Sequence, residues 1–283
     1  MSTIIKTHQL SHRNETVIYN TDYAETVRHN SLDSVAQVMH LDKGEVIKHA
    51  IKERKTVRTA LQGPGGTLSV YIKRHYPSAF IPALFRRFIS GTPPDAFDEF
   101  NNIIAFHRHG LPTMVPIAAG RVRCGIDSRS YLVTRALAGC RRLDHILAEP
   151  GQLSPHRKHE IISRLALLIK NMHACGFNHR DLYLCHILMD SDDNPFIVDL
   201  HRVESRSNVP ERRLVKDIAA LNYSAPHTAV STTDRLRFLK QYLGVTKLTG
   251  SEKKFAAMVS SKTVRMTRHN EKKTPKGSAG AKQ

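Results

Sequence analysis

The strongest constraint on this chain lies between Ser154 and Asp199. Ser154 stands where a helix N-cap is expected, and Pro155 follows at the first helical position, where its missing N–H costs nothing. Ile161, Ile162, Leu165, Leu168, Ile169 and Met172 then recur at intervals that place them on one face of a long helix, which Gly176 ends. Immediately afterwards come a loop, His179 to His186, with Asp181 near its start, and a short apolar strand, Ile187-Leu188-Met189. A second strand, Phe196-Ile197-Val198, ends on Asp199. Few architectures place one carboxylate on a loop after a long helix and a second at the end of a strand pair.

The first half of the chain has a different rhythm. Residues 1–30 are polar and read as irregular, and Ser31 is the expected cap of a short helix carrying Leu32, Val35, Val38 and Met39. From Glu45 onward β-branched runs predict strands at Val46-Ile47, Thr56–Leu61 and Leu68–Lys73, with Gly63-Pro64-Gly65-Gly66 as a hairpin turn between the last two. Residues 74–91 hold Arg74, His75, Arg86 and Arg87 among apolar residues, which suits either a packed helix or an interfacial one. Thr92-Pro93-Pro94 should start a helix running to about His109 and stopped by Gly110. Asp95, Asp98 and Glu99 fall in its first turns, where the macrodipole favours acids. Val115–Ile117, Gly120–Cys124 and Ser130–Thr134 complete an antiparallel sheet around a turn at 125–129. Beyond Thr134 the pattern is helical: 141–149, 155–175, then near 211–223, 232–243 and 251–268.

These patterns predict an α+β fold of two lobes. A sheet-rich N-lobe spans 1–134, a mostly helical C-lobe spans 135–269, and a disordered basic tail covers 270–283. With 40% hydrophobic residues the chain has the material for a core. No apolar run approaches the length of a membrane span, and the N-terminus has no secretory h-region, so a cytoplasmic protein is expected. Cys124, Cys140, Cys175 and Cys185 match no zinc spacing and read as reduced thiols. The formal net charge of +18 favours contact with polyanions: nucleic acid, anionic lipid or a phosphorylated substrate. The absence of Trp argues against a base-stacking surface, and no specific nucleic-acid partner is expected.

Lys73, Glu99, Asp181, His186 and Asp199, in that order, form the candidate constellation. Phosphoryl transfer needs a lysine against phosphate charge and an acid to hold it. It also needs a carboxylate to orient the acceptor hydroxyl and a hard oxygen ligand for Mg²⁺.

The strings Tyr71-Ile72-Lys73-Arg74-His75, His179-Arg180-Asp181-Leu182-Tyr183-Leu184-Cys185-His186, Val198-Asp199-Leu200-His201-Arg202 and Lys216–Ser224 carry a resemblance. The chain resembles the lipopolysaccharide core heptose kinase family, which includes Kdo kinases and belongs to the protein kinase-like superfamily. The resemblance implies a two-lobed kinase using ATP and Mg²⁺. The acceptor would be a sugar hydroxyl, of heptose or Kdo, in the glycolipid of the lipopolysaccharide inner core. It would work at the cytoplasmic face of the inner membrane, against an anionic surface. It further implies that Lys73 binds ATP phosphates and pairs with Glu99, and that Thr134 to Leu137 form the adenine-binding hinge. Asp181 would be the catalytic base, Asp199 the main Mg²⁺ ligand, and Arg180 and Asp217 supporting residues of the loop.

Two departures from ordinary protein kinases matter. His186 takes the place of an Asn that binds a second Mg²⁺; imidazole is a poor ligand for that ion, so a hydrogen-bonding role or a single metal is expected. Only 17 residues separate Asp199 from Asp217, too few for a segment that docks a peptide, which favours a small or sugar acceptor. Two rival readings stay open on the residues alone: a bacterial protein kinase, and a non-catalytic basic scaffold or pseudokinase. Arg202, Arg206, Arg212 and Arg213 offer contacts for anionic groups of an acceptor.

Overall fold

A computed structural model describes residues 4–41, 44–51, 54–76, 95–124, 127–149, 151 and 153–273. The chain divides into two compact units. The first is residues 1–138 together with 197–202, and the second is residues 139–196 with 203–283.

The first unit is built on an antiparallel sheet of seven strands among the described residues. They are β1 (Thr7–His12), β2 (Glu15–Asn20), β3 (Glu45–Ile51), β4 (Arg54–Gly63), β5 (Gly66–His75), β6 (Val115–Cys124) and β7 (Asp127–Arg135), in the spatial order β1-β2-β6-β7-β5-β4-β3. The β4–β5 hairpin closes across Pro64-Gly65, with Gly63 opposite Gly66. The N-terminal region is not irregular. β1 and β2 pair from Thr7 with Asn20 to His12 with Glu15, and β2 continues onto β6. The six residues of β1 are all exposed, so this edge strand has no alternating apolar signature to read.

Two short helices, α1 (Ala24–His29) and α2 (Val35–Met39), belong to this unit. A five-residue helix is too short to hold alone. α2 persists because Val35, Val38 and Met39 are buried against Val70, Ile72, Ile117 and Val133 of the sheet. Each such side chain contributes about 1.5–3 kcal/mol on burial. Its cap is Ser34, which accepts from Gln37 N–H, and not Ser31; Ser31 instead takes a left-handed backbone at φ +53°. α3 (Ala96–Arg108) is also part of this unit. Its N-terminus is a capping box: Asp95 accepts from the Asp98 N–H while the Asp98 side chain accepts from Asp95 N–H. The expected start at Thr92–Pro94 and the amphipathic stretch at 77–91 lie outside the described residues.

The second unit is mostly helical: α4 (Leu143–Ala148), α5 (Pro155–Ala174), α6 (Glu211–Ser224), α7 (Thr232–Leu243) and α8 (Gly250–Lys273). Ser154 caps α5 with Pro155 in its first turn, and the chain leaves it through Gly176 at φ +86°. α8 runs through Asn270 to Lys273, further than the expected end near 268; residues 274–283 lie outside the described residues. Arg141-Arg142 form a short strand, β8, rather than the start of α4, and pair with β10 (Ile187–Met189). β9 (Phe177–Asn178) pairs with β12 (Glu204–Ser205), while β11 (Pro195–Ile197) lies beside β10. Leu143, Ile161, Leu165, Ile218, Leu239 and Val259 are among the residues around an apolar cavity of about 330 Å³ in this unit.

Among the described residues no helix is long and apolar enough to cross a membrane.

Candidate active site

The pleat of β5 decides where Lys73 points. Val70 and Ile72 enter the core shared with α2, so by period-two alternation Tyr71, Lys73 and His75 face the other side. On that side α3 presents Glu99. Lys73 Nζ donates to Glu99 Oε1 at 2.6 Å and to Asp199 Oδ1 at 2.9 Å. Glu99 is only 1% exposed, and its Oε2 is buried with no hydrogen-bond partner among the described residues. Burial opposes the charge on Lys73, yet the Glu99 and Asp199 carboxylates outweigh it and hold the ammonium above its usual pKa. Burial likewise works against ionised Asp199, but Lys73 and His201 beside it keep the carboxyl far below the usual range.

Asp199 is mounted on this unit by the residues around it. Ile197 N–H donates to the Pro112 carbonyl at 3.0 Å, and the buried Thr113 hydroxyl donates to the Ile197 carbonyl at 2.7 Å. Asn102, one turn after Glu99 on α3, donates to the Leu200 carbonyl at 2.8 Å. His201 lies in the short turn Leu200–Arg202, and its Nδ1 is 2.9 Å from Asp199 Oδ1. Facing a carboxylate, that nitrogen carries the proton and donates. Asp199 adopts φ +64°, a left-handed backbone that costs a non-glycine residue energy and persists only when neighbours over-determine it. His75, on the Lys73 side of β5, is pushed down to about 3 by burial and by Arg54, Lys73 and His201, so it is neutral near pH 7.

Thr134 is buried near the end of β7, where it pairs with Tyr71 and Pro116. Ala136 N–H donates to the Ser69 carbonyl at 2.9 Å, and Leu137, half-buried, follows just before the boundary at Ala138.

The loop His179–His186 belongs to the second unit and is held from beneath by Asp217 of α6, which is fully buried. Asp217 Oδ2 accepts from His179 N–H at 2.6 Å, and Oδ1 accepts from Arg180 N–H at 2.8 Å. The acid is in turn approached by His173 Nε2 at 3.3 Å, whose Nδ1 meets the Tyr242 hydroxyl at 2.8 Å. Arg180 also has a left-handed backbone, φ +71°. The half-buried Asp181 follows it. The Asp181 carbonyl accepts from Tyr183 N–H at 2.9 Å and lies 2.8 Å from His186 Nδ1. His186 thus makes the hydrogen bond expected of it, and its ring stacks on His179 with centroids 5.9 Å apart. Leu184 N–H donates to Ser224 Oγ at 2.9 Å and closes the loop onto α6.

A half-buried lysine held between two carboxylates, and a loop aspartate presented by a strained, acid-braced backbone, are parts suited to phosphoryl transfer. The model of the "Lipopolysaccharide kinase (Kdo/WaaP) family" matches residues 41–242, most of the chain and all of the residues just described. The chain belongs to the lipopolysaccharide kinase (Kdo/WaaP) family. Family membership makes it a phosphotransferase with an alcohol group as acceptor. Among its relatives is the lipopolysaccharide core heptose(I) kinase WaaP of Escherichia coli K12, 28% identical over 85% of this chain and 94% of that protein. The protein of the same name from Pseudomonas aeruginosa is 30% identical over 71% of this chain and 77% of its own length. A 3-deoxy-D-manno-octulosonic acid kinase of Vibrio vulnificus is 28% identical over 49% of this chain and 52% of that protein.

Several residues of this family member's site carried no sequence signal strong enough to single them out. Tertiary packing alone brings Asn102 to the Leu200 carbonyl, His173 to Asp217, Tyr242 to His173 and Glu204 to Arg180. His201 was visible in the string Asp-Leu-His-Arg, but its bond to Asp199 depends on the turn at 200–202.

Proposed function

We propose that this chain transfers the γ-phosphate of ATP to a sugar hydroxyl of the lipopolysaccharide inner core, at the cytoplasmic face of the inner membrane. The observation that carries the reading is the Lys73–Glu99–Asp199 arrangement in a chain of this family. A heptose is favoured as acceptor. The heptose kinases match over most of their length, whereas the octulosonic acid kinase matches over about half of its own.

The residues suit ATP and Mg²⁺. Lys73 stays cationic at any working pH, as a phosphate-binding lysine should. Asp199 supplies a hard carboxylate ligand. Mg²⁺ in kinases takes one or two carboxylates and completes its shell with phosphate oxygens and water, so one such residue is a sufficient protein contribution. Mg²⁺ held by Asp199 would neutralise phosphate charge during transfer.

In this reading Glu99 keeps Lys73 extended towards the α- and β-phosphates. His201 holds Asp199 through Oδ1 and fixes the direction of its carboxylate. Thr134 to Leu137 offer backbone groups to adenine. Asp181 accepts the proton of the acceptor hydroxyl as it attacks, and His186 fixes Asp181 through its carbonyl. The net charge of +18 draws the protein to the anionic membrane surface that presents the glycolipid.

The test is transfer from γ-labelled ATP to lipopolysaccharide extracted from a strain lacking this protein. Label should enter the glycolipid, and mass spectrometry should place one phosphate on heptose. Asp181→Ala should abolish transfer while an ATP-dependent thermal shift remains. Label entering protein substrates and not lipopolysaccharide would overturn the proposal.

A further inference from the structure

Three guanidinium groups converge on one carboxylate in the segment after Asp199. Glu204 Oε1 accepts from Arg180 Nη1 at 2.7 Å. Oε2 accepts from Arg206 Nη2 at 3.0 Å, and Arg213 Nη2 lies 3.4 Å away. Burial opposes the charge on Glu204, but Arg206, Arg180 and Arg213 outweigh it and keep the carboxyl below its ordinary pKa. A solitary surface pair of this kind contributes little. This cluster closes on Arg180, the strained residue before Asp181.

A left-handed arginine backbone needs more than one restraint to persist. Here two carboxylates provide them. Asp217 holds the backbone N–H of Arg180, and Glu204 holds its guanidinium. Glu204 is in turn mounted on the strand that leads into the loop. It pairs with Asn178, Ser205 pairs with Phe177, and Arg206 N–H donates to the Gly176 carbonyl at 2.9 Å. The mounting is tight: a Cβ on Gly176 would sit 2.1 Å from the Arg206 carbonyl oxygen.

Kinases that are switched by phosphorylation order their activation segments by pairing a new phosphate with arginines. In this chain the acid is encoded. We propose that Glu204 is a positioning residue. Through Arg180 it holds the Asp181 loop permanently in its competent geometry, so activity needs no phosphorylation of residues 200–210. The inference rests on the assignment of Asp181 as the reacting carboxylate in the proposed function.

The experiment uses the full chain and two readouts: hydrogen exchange of amides in 177–186, and transfer to lipopolysaccharide. Glu204→Gln should speed exchange of the His179–Asp181 amides by about tenfold to a hundredfold, the effect of losing a hydrogen bond between charged groups. It should lower kcat over a similar range and leave the KM for ATP within about threefold. Glu204→Asp should recover much of both. Arg180→Gln should resemble Glu204→Gln, and the double variant should add little, because both act through one contact. Phosphatase-treated wild type should keep its turnover. Unchanged exchange in Glu204→Gln, additive losses in the double variant, or activity that disappears with phosphatase would each overturn the inference. A wild type that labels no sugar acceptor would refute the proposed function instead, while the exchange measurement still decides whether Glu204 braces the loop.

Discussion

Asp217→Asn changes one atom and tests the bracing of the loop. Asp217 accepts from two backbone N–H groups, one on each carboxylate oxygen, in a fully buried position. An amide has one acceptor oxygen, so one of those N–H groups would face another donor. Losing one hydrogen bond to a charged group costs about 1.5–3 kcal/mol, and the surviving bond weakens to the neutral range of about 0.5–1.5 kcal/mol. The total is about 2–4 kcal/mol. At roughly 2–4 °C per kcal/mol for a chain of this size, Tm should fall by about 5–15 °C. The backbone at Arg180 would also be freer to leave its left-handed conformation. A displacement of about 1 Å at a reacting group costs on the order of a hundredfold in rate. Turnover, measured well below the variant's Tm, should therefore fall by about that factor. The ATP-dependent thermal shift should survive, because Lys73 and Asp199 are held by residues of the other unit. A variant within about 1 °C of the wild-type Tm and about threefold of its turnover would refute the claim that Asp217 carries the loop.

Other perturbations test other contacts. Lys73→Met leaves the buried Glu99 without its partner and should cost about 3–5 kcal/mol in urea unfolding. Adding Glu99→Gln should recover much of that stability without restoring transfer, and a double variant as unstable as the single would contradict the pairing. His75 has its folded pKa near 3, below the ordinary value of 6.5. Between those values the unfolded chain binds a proton that the folded one does not, so this residue costs stability as pH falls from 6.5 towards 3, with a slope of about 1.4 kcal/mol per pH unit. His75→Asn should therefore lose less stability than wild type across that window, and parallel pH profiles would count against the burial of a neutral imidazole. Gly176→Ala meets both a positive φ and the Arg206 carbonyl oxygen. It should lower unfolding free energy by roughly 2 kcal/mol or more and lower kcat with it; a neutral effect would show that β9 and β12 are not held as closely as described.

Much of this protein was legible in its sequence because local physics decided it. The capped helix from Pro155, the hairpin across Pro64-Gly65 and the helix near 211–223 each follow from side-chain period, cap chemistry or turn residues within a few positions. The order of Lys73, Glu99, Asp181 and Asp199 was legible for the same reason, since each falls on an element whose type its neighbours dictate. The β1–β2 hairpin was not, because an exposed edge strand has no buried face to impose a pattern, and its pairing with β6 joins residues about a hundred positions apart. Ser34 and not Ser31 is the cap because Ser34 has the extended backbone of an N-cap and accepts from Gln37 N–H, whereas Ser31 takes a left-handed backbone. The family resemblance anticipated the Lys73–Glu99 pair and the support of the loop by Asp217. The remaining contacts that make the site specific were decided by tertiary structure alone: Asp199 beside Lys73, His201 beside Asp199, His173 behind Asp217, and three arginines on Glu204. A carboxylate's role depends on which donors surround it. Those donors come from elements brought together only when apolar burial folds each unit.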